Sequence, residues 1–197
     1  MIISLQTDNG DIDWMLRVML QAPKVFITER LILRRSRLWD AAAIFEYASD
    51  PKVIHYMDYC PRTDVSEVVK FLEEQSEQWE SGSFSWVLTV KPDDRPIGTI
   101  ACWLEDHKAG FGYLLHQQYW GQGYATEAAR VVVEWAIGLP NIYRVWATCD
   151  TENVASVRVL EKCGLVFEGR LHCYSVRPNI SPIPRDVFMY AKVRDST

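Results

Sequence analysis

A chain of 197 residues, 48% hydrophobic and 24% charged, is long enough to bury its own core and is expected to form one domain. A formal net charge of −5 offers no basic surface for nonspecific nucleic-acid binding, and no apolar run approaches the ~20 residues of a membrane span. Asp8, Asp11 and Asp13 interrupt the N-terminal stretch, so no signal peptide is expected. Cys60, Cys102, Cys149, Cys163 and Cys173 are scattered without metal-ligand spacing. They read as reduced thiols of a cytoplasmic protein, with no metal site and with neither nucleic acid nor membrane as partner.

Residues 1–24 carry one short helical pattern, Ile12 to Leu20, and are set apart as an extension from a domain over 25–197. Thr28 to Arg35 alternates as a first strand. Asp40 is placed to cap a helix burying Ala43, Ile44, Tyr47 and Ala48, which Asp50-Pro51 ends. Lys52 to Arg62 is irregular and aromatic, with His55, Tyr56 and Tyr59. Asp64 and Glu67 form a capping pair for a second helix carrying Val65, Val68, Val69, Leu72 and Trp79, stopped at Ser81-Gly82. Phe84 to Val90, Ile97 to Leu104 and Ala109 to Leu115 are strands of an antiparallel meander.

The last of these strands runs into Gln118-Tyr119-Trp120-Gly121-Gln122-Gly123, and a helix begins at Tyr124. On that helix Ala125, Ala128, Ala129, Val132 and Ala136 share a face, and Glu127, Arg130 and Glu134 lie opposite at spacings that favour ion pairing. A strand, a glycine turn and a helix N-terminus together suit an anion, because the first helical amides have no internal partner and the helix dipole adds positive charge there. The turn holds no lysine or arginine, so such binding would rest on N–H groups. An ordinary connection with two glycines remains the alternative. A P-loop is excluded, because Tyr124 and Ala125 stand where lysine and a hydroxyl belong. Thr126 and Asp150 imitate a dinucleotide fingerprint, but too few residues follow Asp150 for the remaining βαβ units. After a break at Pro140-Asn141, Tyr143 to Cys149 is a strand and Asn153 to Cys163 a helix closed by Gly164. Val166 to Val176 is a strand, Asn179 to Pro184 a loop, and Asp186 to Val193 a last strand. This order predicts an α/β (α+β) mixed sheet with helices on both faces.

The pattern Q-x-x-G-x-G at Gln118, Gly121 and Gly123 resembles the acetyl-CoA pyrophosphate loop of the GCN5-related N-acetyltransferase (GNAT) superfamily. The words GYLLHQQYWGQGYATEA and NVASVRVLEKCGL resemble its RimJ/RimL-like branch, which acetylates ribosomal-protein N-termini. The resemblance runs from about Thr28 to Val193. It implies a mostly antiparallel sheet of about seven strands, splayed after the central strand, with pantetheine in the gap. It implies that Tyr113, Leu114 and Leu115 contact pantetheine, that Gln118 and Trp120, Gly121, Gln122, Gly123, Tyr124 and Ala125 wrap the pyrophosphate, and that Asn153 contacts the cofactor. Ser156 is then placed to protonate the departing thiolate.

From the residues alone, Asn153 is equally a helix cap and Ser156 a core hydroxyl bonded to a backbone carbonyl. Two departures from the wider pattern matter. Leu160 stands where many members place a tyrosine acid, and Gly110 where many carry a glutamate linked to the base. Glu105, His107, His116 and His55 are then candidate bases by residue type, His116 first because it follows the central strand. His55, Tyr56, Tyr59 and Tyr174 are expected on the acceptor side. The reading is an acetyl-CoA-dependent N-acetyltransferase acting on a primary amine: a peptide or protein N-terminus, a polyamine or an aminoglycoside. The chain is expected as monomer or homodimer. A non-catalytic acyl-CoA-binding regulatory module is the alternative, and a dinucleotide-binding protein the third.

Overall fold

The computed structural model describes residues 22–194, apart from the side chain of Glu80. The helix expected at Ile12 to Leu20 lies outside them. Eight strands form one sheet in the order β1-β2-β3-β4-β5-β6-β8-β7. They are β1 (Val25–Ile27), β2 (Leu31–Arg34), β3 (Ser83–Val90), β4 (Pro96–Glu105), β5 (Lys108–Leu115), β6 (Arg144–Asp150), β7 (Val166–Arg177) and β8 (Ser181–Val193). Neighbours are antiparallel except β5 and β6, which run parallel. The helices are α1 (Ala41–Ala48), α2 (Val65–Gln78), α3 (Tyr124–Gly138) and α4 (Val154–Lys162).

Strand alternation sorts the core into two layers. Trp86, Leu88, Ile100, Cys102 and Phe111 pack with Ala128, Val132, Ala136 of α3 and Leu160 of α4. Val87 of the opposite face packs with Ile44 and Tyr47 of α1 and Val68 and Leu72 of α2. The six central residues of β3 are therefore all buried, although their sequence alternates in polarity. Phe26, Trp79, Phe84 and Trp135 surround Trp86 at ring distances of 5.2 to 6.1 Å, and its Nε1 donates to Pro23 O at 2.8 Å.

Several local expectations shift. The first strand is a hairpin, because Thr28 Oγ1 accepts from Leu31 N–H at 3.0 Å and folds Thr28–Arg30 into a turn between β1 and β2. Asp40 does not cap α1: its carboxylate takes both guanidinium nitrogens of buried Arg34, at 2.7 and 2.9 Å, and the Arg37 amide at 2.8 Å. Asp64 does cap α2 through Ser66 N–H at 2.8 Å, while Glu67 reaches Thr63 instead of completing a capping box. Asn179 to Pro184 is partly strand. The β7–β8 pairing reaches Arg177↔Ser181, and its register shifts accommodate the prolines.

What positions the site is the seam between β5 and β6. They pair only at Lys108↔Arg144, Ala109↔Val145 and Gly110↔Trp146. Beyond Gly110, β5 stays with β4 to Leu115, and β6 stays with β8 to Asp150, so the sheet forks.

Candidate active site

The fork opens into a cleft of about 1130 Å³. One side is the free edge of β5 from Phe111 to Leu115, whose backbone groups lack a strand partner toward β6. The turn after it is built for close approach. Gly121 and Gly123 have φ of +74° and +84°, a region costly for residues with a Cβ. A Cβ on Gly121 would meet nothing within 4 Å. The N-terminus of α3 has no side-chain cap, and Gly123, Tyr124, Ala125 and Thr126 line the cleft there. Uncapped amides beside open space at the head of a 15-residue helix form a cradle that fits an anion.

A clasp that the sequence did not reveal holds this turn. Glu127 accepts from Thr28 Oγ1 at 2.6 Å, Arg30 N–H at 2.9 Å and Arg30 Nε at 2.7 Å. Arg30 Nη1 donates to Gln122 O at 2.9 Å, and the guanidinium stacks over Tyr124 at 4.5 Å. Burial would raise the Glu127 carboxyl, but the Thr28 and Arg30 bonds outweigh it and hold it below its ordinary value. The intrahelical pairing expected of Glu127, Arg130 and Glu134 is thus replaced by tertiary partners. Glu134 meets Lys192, and Arg130 donates to Lys162 O. Trp120 Nε1 donates to Leu115 O at 2.7 Å, tying the turn to the end of β5.

Tyr113 and Ser156 meet across the cleft: the Tyr113 hydroxyl donates to Ser156 Oγ at 3.2 Å. Burial pushes the Tyr113 hydroxyl up to about 12, with the Ser156 bond working against it, so it is protonated at neutral pH. Asn153 does cap α4, its Oδ1 accepting from Ser156 N–H at 3.1 Å. Leu160 is buried in the core. Cys149 also lines the cleft, but burial pushes its thiol up to about 11. It is not the thiolate that covalent acyl transfer would need.

Gly110 leaves no space for a side chain. Its Cβ would lie 2.4 Å from the Trp103 indole, which also meets Trp146 edge-on at 5.8 Å. Of the candidate bases, His55 lines the cleft, edge-on to Tyr56 at 4.7 Å. His116 is not on the wall, and its Nδ1 accepts from Gln118 N–H at 3.2 Å. Gln118 and Gln122 also stand off the wall and bond each other, Gln122 Nε2 to Gln118 O at 2.9 Å. Glu105 pairs with Lys108 at the far turn, where His107 O accepts from Tyr143 N–H.

Tyr56 and Tyr174 line the other side. There the loop after α1 is fastened to the β7–β8 turn: Asn179 Nδ2 donates to Ile54 O and to Tyr59 O, each at 2.8 Å.

The model of the acetyltransferase (GNAT) domain matches residues 30–166, from the Arg30 clasp to the first residue of β7. The chain belongs to the GNAT acetyltransferase family. It is 34% identical over 153 residues to a Bacillus licheniformis protein named "uncharacterized N-acetyltransferase p20", covering 75% of this chain and 85% of that one. Among solved structures, a GNAT-family acetyltransferase from Bacillus anthracis superposes with a TM-score of 0.75 at 25% identity, covering 86% and 98% of the two chains. The RimL ribosomal L7/L12 α-N-protein acetyltransferase in complex with coenzyme A gives 0.76 at 18% identity, covering 86% and 97%. That likeness is one of fold. The single-domain GNAT architecture and acetyltransferase class follow from the family match and these relatives. No helix of the described residues is long and apolar enough to cross a membrane.

Proposed function

We propose that the enzyme transfers acetyl directly from acetyl-CoA to a primary amine. The observation that carries this is the fork: an unpaired β5 edge leading straight to an uncapped, glycine-bordered helix N-terminus. Acetyl-CoA supplies an activated thioester. The α3 amides with Gly121 and Gly123 would hold its pyrophosphate, and the β5 edge its amide-bearing arm. Arg158 and Lys162, on the cleft wall of α4, add positive charge for further phosphate. Ser156 is the acid in this reading. It accepts a hydrogen bond from Tyr113, which leaves its own proton for a departing sulfur.

The amine must lose a proton before attack. We assign that step to His55, which replaces His116 because it lines the cleft. His55→Ala should lower kcat with the acetyl-CoA dissociation constant unchanged, whereas unaltered turnover with normal folding removes His55 from the mechanism.

The test of the whole reading is calorimetric titration with acetyl-CoA, followed by thiol release against N-terminal peptides, polyamines, aminoglycosides and amino acids. Binding with turnover is expected. Absence of acetyl-CoA binding sinks the reading, and binding without turnover on every class favours a non-catalytic acyl-CoA module.

A further inference from the structure

Among the described residues, two buried side-chain nitrogens have no hydrogen-bond partner: Trp146 Nε1 and Arg177 Nε. Both residues line the one cleft. Buried donors are almost always satisfied, and a buried charge is normally paired, so two orphans in one cavity ask for a ligand.

Arg177 is 8% exposed and forms no ion pair among the described residues. Its neighbour Asp150 attracts it through space but does not bond it, because Arg185 already grips that carboxylate at 2.7 and 3.1 Å. Arg177 is also rigidly set. It is the last β7 residue, paired with Ser181, and its carbonyl accepts from Ile180 N–H at 2.8 Å. The turn that follows is pinned to the loop after α1 by Asn179. Folding thus fixes a guanidinium at a desolvated position, within the field of Asp150 but with no acid hydrogen-bonded to it among the described residues.

The missing anion is not a phosphate of acetyl-CoA. On β6, Val145, Ala147 and Cys149 face the α3 layer, so Trp146, Thr148 and Asp150 face the opposite side. The Asn179 turn meets that opposite side too, through Ile54 and Tyr59 of the α1–α2 cluster. The pyrophosphate cradle lies at the head of α3, across the sheet. Trp146 stands where the fork begins, and Arg177 near its far end beside Asp150.

We infer that the acceptor amine itself carries an anionic group, a carboxylate or a phosphate, which pairs with Arg177. This rests on the acetyltransferase reading and narrows it: polyamines and aminoglycosides fit this wall poorly, and amino-acid-like amines fit it well.

The test uses matched acceptors in the thiol-release assay: phenylalanine against phenethylamine, β-alanine against propylamine, and phosphoethanolamine against ethanolamine, with spermidine as a cationic control. The anionic member of at least one pair should be preferred about tenfold or more in kcat/KM. The carboxylate and phosphate pairs separate the two anions. Arg177→Met should erase the preference through KM and leave acetyl-CoA affinity unchanged in a folded variant. Arg177→Lys should restore part of the preference. Equal use of both members, a preference that survives Arg177→Met, or lost acetyl-CoA binding in that variant overturns the inference. If acetyl-CoA binds but no amine reacts, the catalytic reading has failed by itself. The anion site is then decided by titrating the same carboxylates and phosphates into the CoA-saturated protein: binding that disappears in Arg177→Met sustains it, and its absence overturns it.

Discussion

On the α3 side of the cleft, what faces the ligand is mostly backbone: the open edge of β5, two glycines at positive φ and the first amides of a helix. On the other side it is side chains: His55 and Tyr56 from a loop, Trp146 from β6, Tyr174 and Arg177 from β7. In the proposed reading, backbone geometry meets what every acetyl-CoA molecule has in common, its amides and phosphates, and side chains brought from distant segments meet the acceptor.

Four substitutions break or sharpen that contrast. Gly110→Val strikes the seam on which both walls depend. Its Cβ would enter the Trp103 ring, and a loss of about 3 kcal/mol in unfolding free energy is expected by denaturant titration. A loss below about 1 kcal/mol would mean that the indole simply swings aside. Ser156→Ala acts where the walls meet. It should lower kcat about a hundredfold while the acetyl-CoA dissociation constant moves less than about twofold. Unchanged turnover would reduce Ser156 to a packing partner of Tyr113. Gly123→Val addresses only the backbone wall, by placing a β-branched residue at φ +84° with its Cβ 3.4 Å from Arg30 Nη2. A roughly tenfold weaker acetyl-CoA affinity is expected in a folded variant, since such strain costs on the order of 1–3 kcal/mol. Unaltered affinity would refute the cradle.

The smallest effect belongs to the acceptor wall. Burial would raise the Asp150 carboxyl, but the Arg185 fork, the Glu152 amide and the charge of Arg177 together hold it below its ordinary value. A folded value below the unfolded one stabilises the protein above the ordinary carboxylate range, and that gain is lost as pH falls through the folded value. Asp150→Asn should therefore be less stable than wild type at pH 7, with the gap in denaturant midpoint closing below about pH 4. A gap that persists unchanged in acid would assign Asp150 a role that does not depend on its charge.

The same contrast explains what the sequence disclosed. Strands, helices and the glycine turn were legible because alternation, helical spacing and positive-φ glycine are local signals, and Asn153 and Asp64 cap the helices they precede. The hairpin at Thr28 was missed because its turn rests on a hydroxyl rather than on glycine. The Glu127–Arg30 clasp joins residues 97 positions apart, and only the i,i+3 partner Arg130 was visible locally. The resemblance offers Tyr113 only as a pantetheine contact on the strand, whereas its hydroxyl also reaches Ser156 of α4. Arg177 carried no signal at all, because an arginine near a strand end is ordinary until the nearest acid, Asp150, proves to be bonded elsewhere.

The seam itself has a mechanical consequence. Three register pairs, with α3 packed beneath, join the β1–β5 half of the sheet to the β6–β8 half. Amides of β5 and β6 that face the fork have no strand partner there and should exchange with solvent ahead of those paired within β3 and β4. A ligand arm that bonds to β5 and fills the gap acts as a missing strand. A ligand that binds there only in the folded state adds to the protein's stability by mass action, so an acetyl-CoA bound as proposed would lengthen survival against proteolysis.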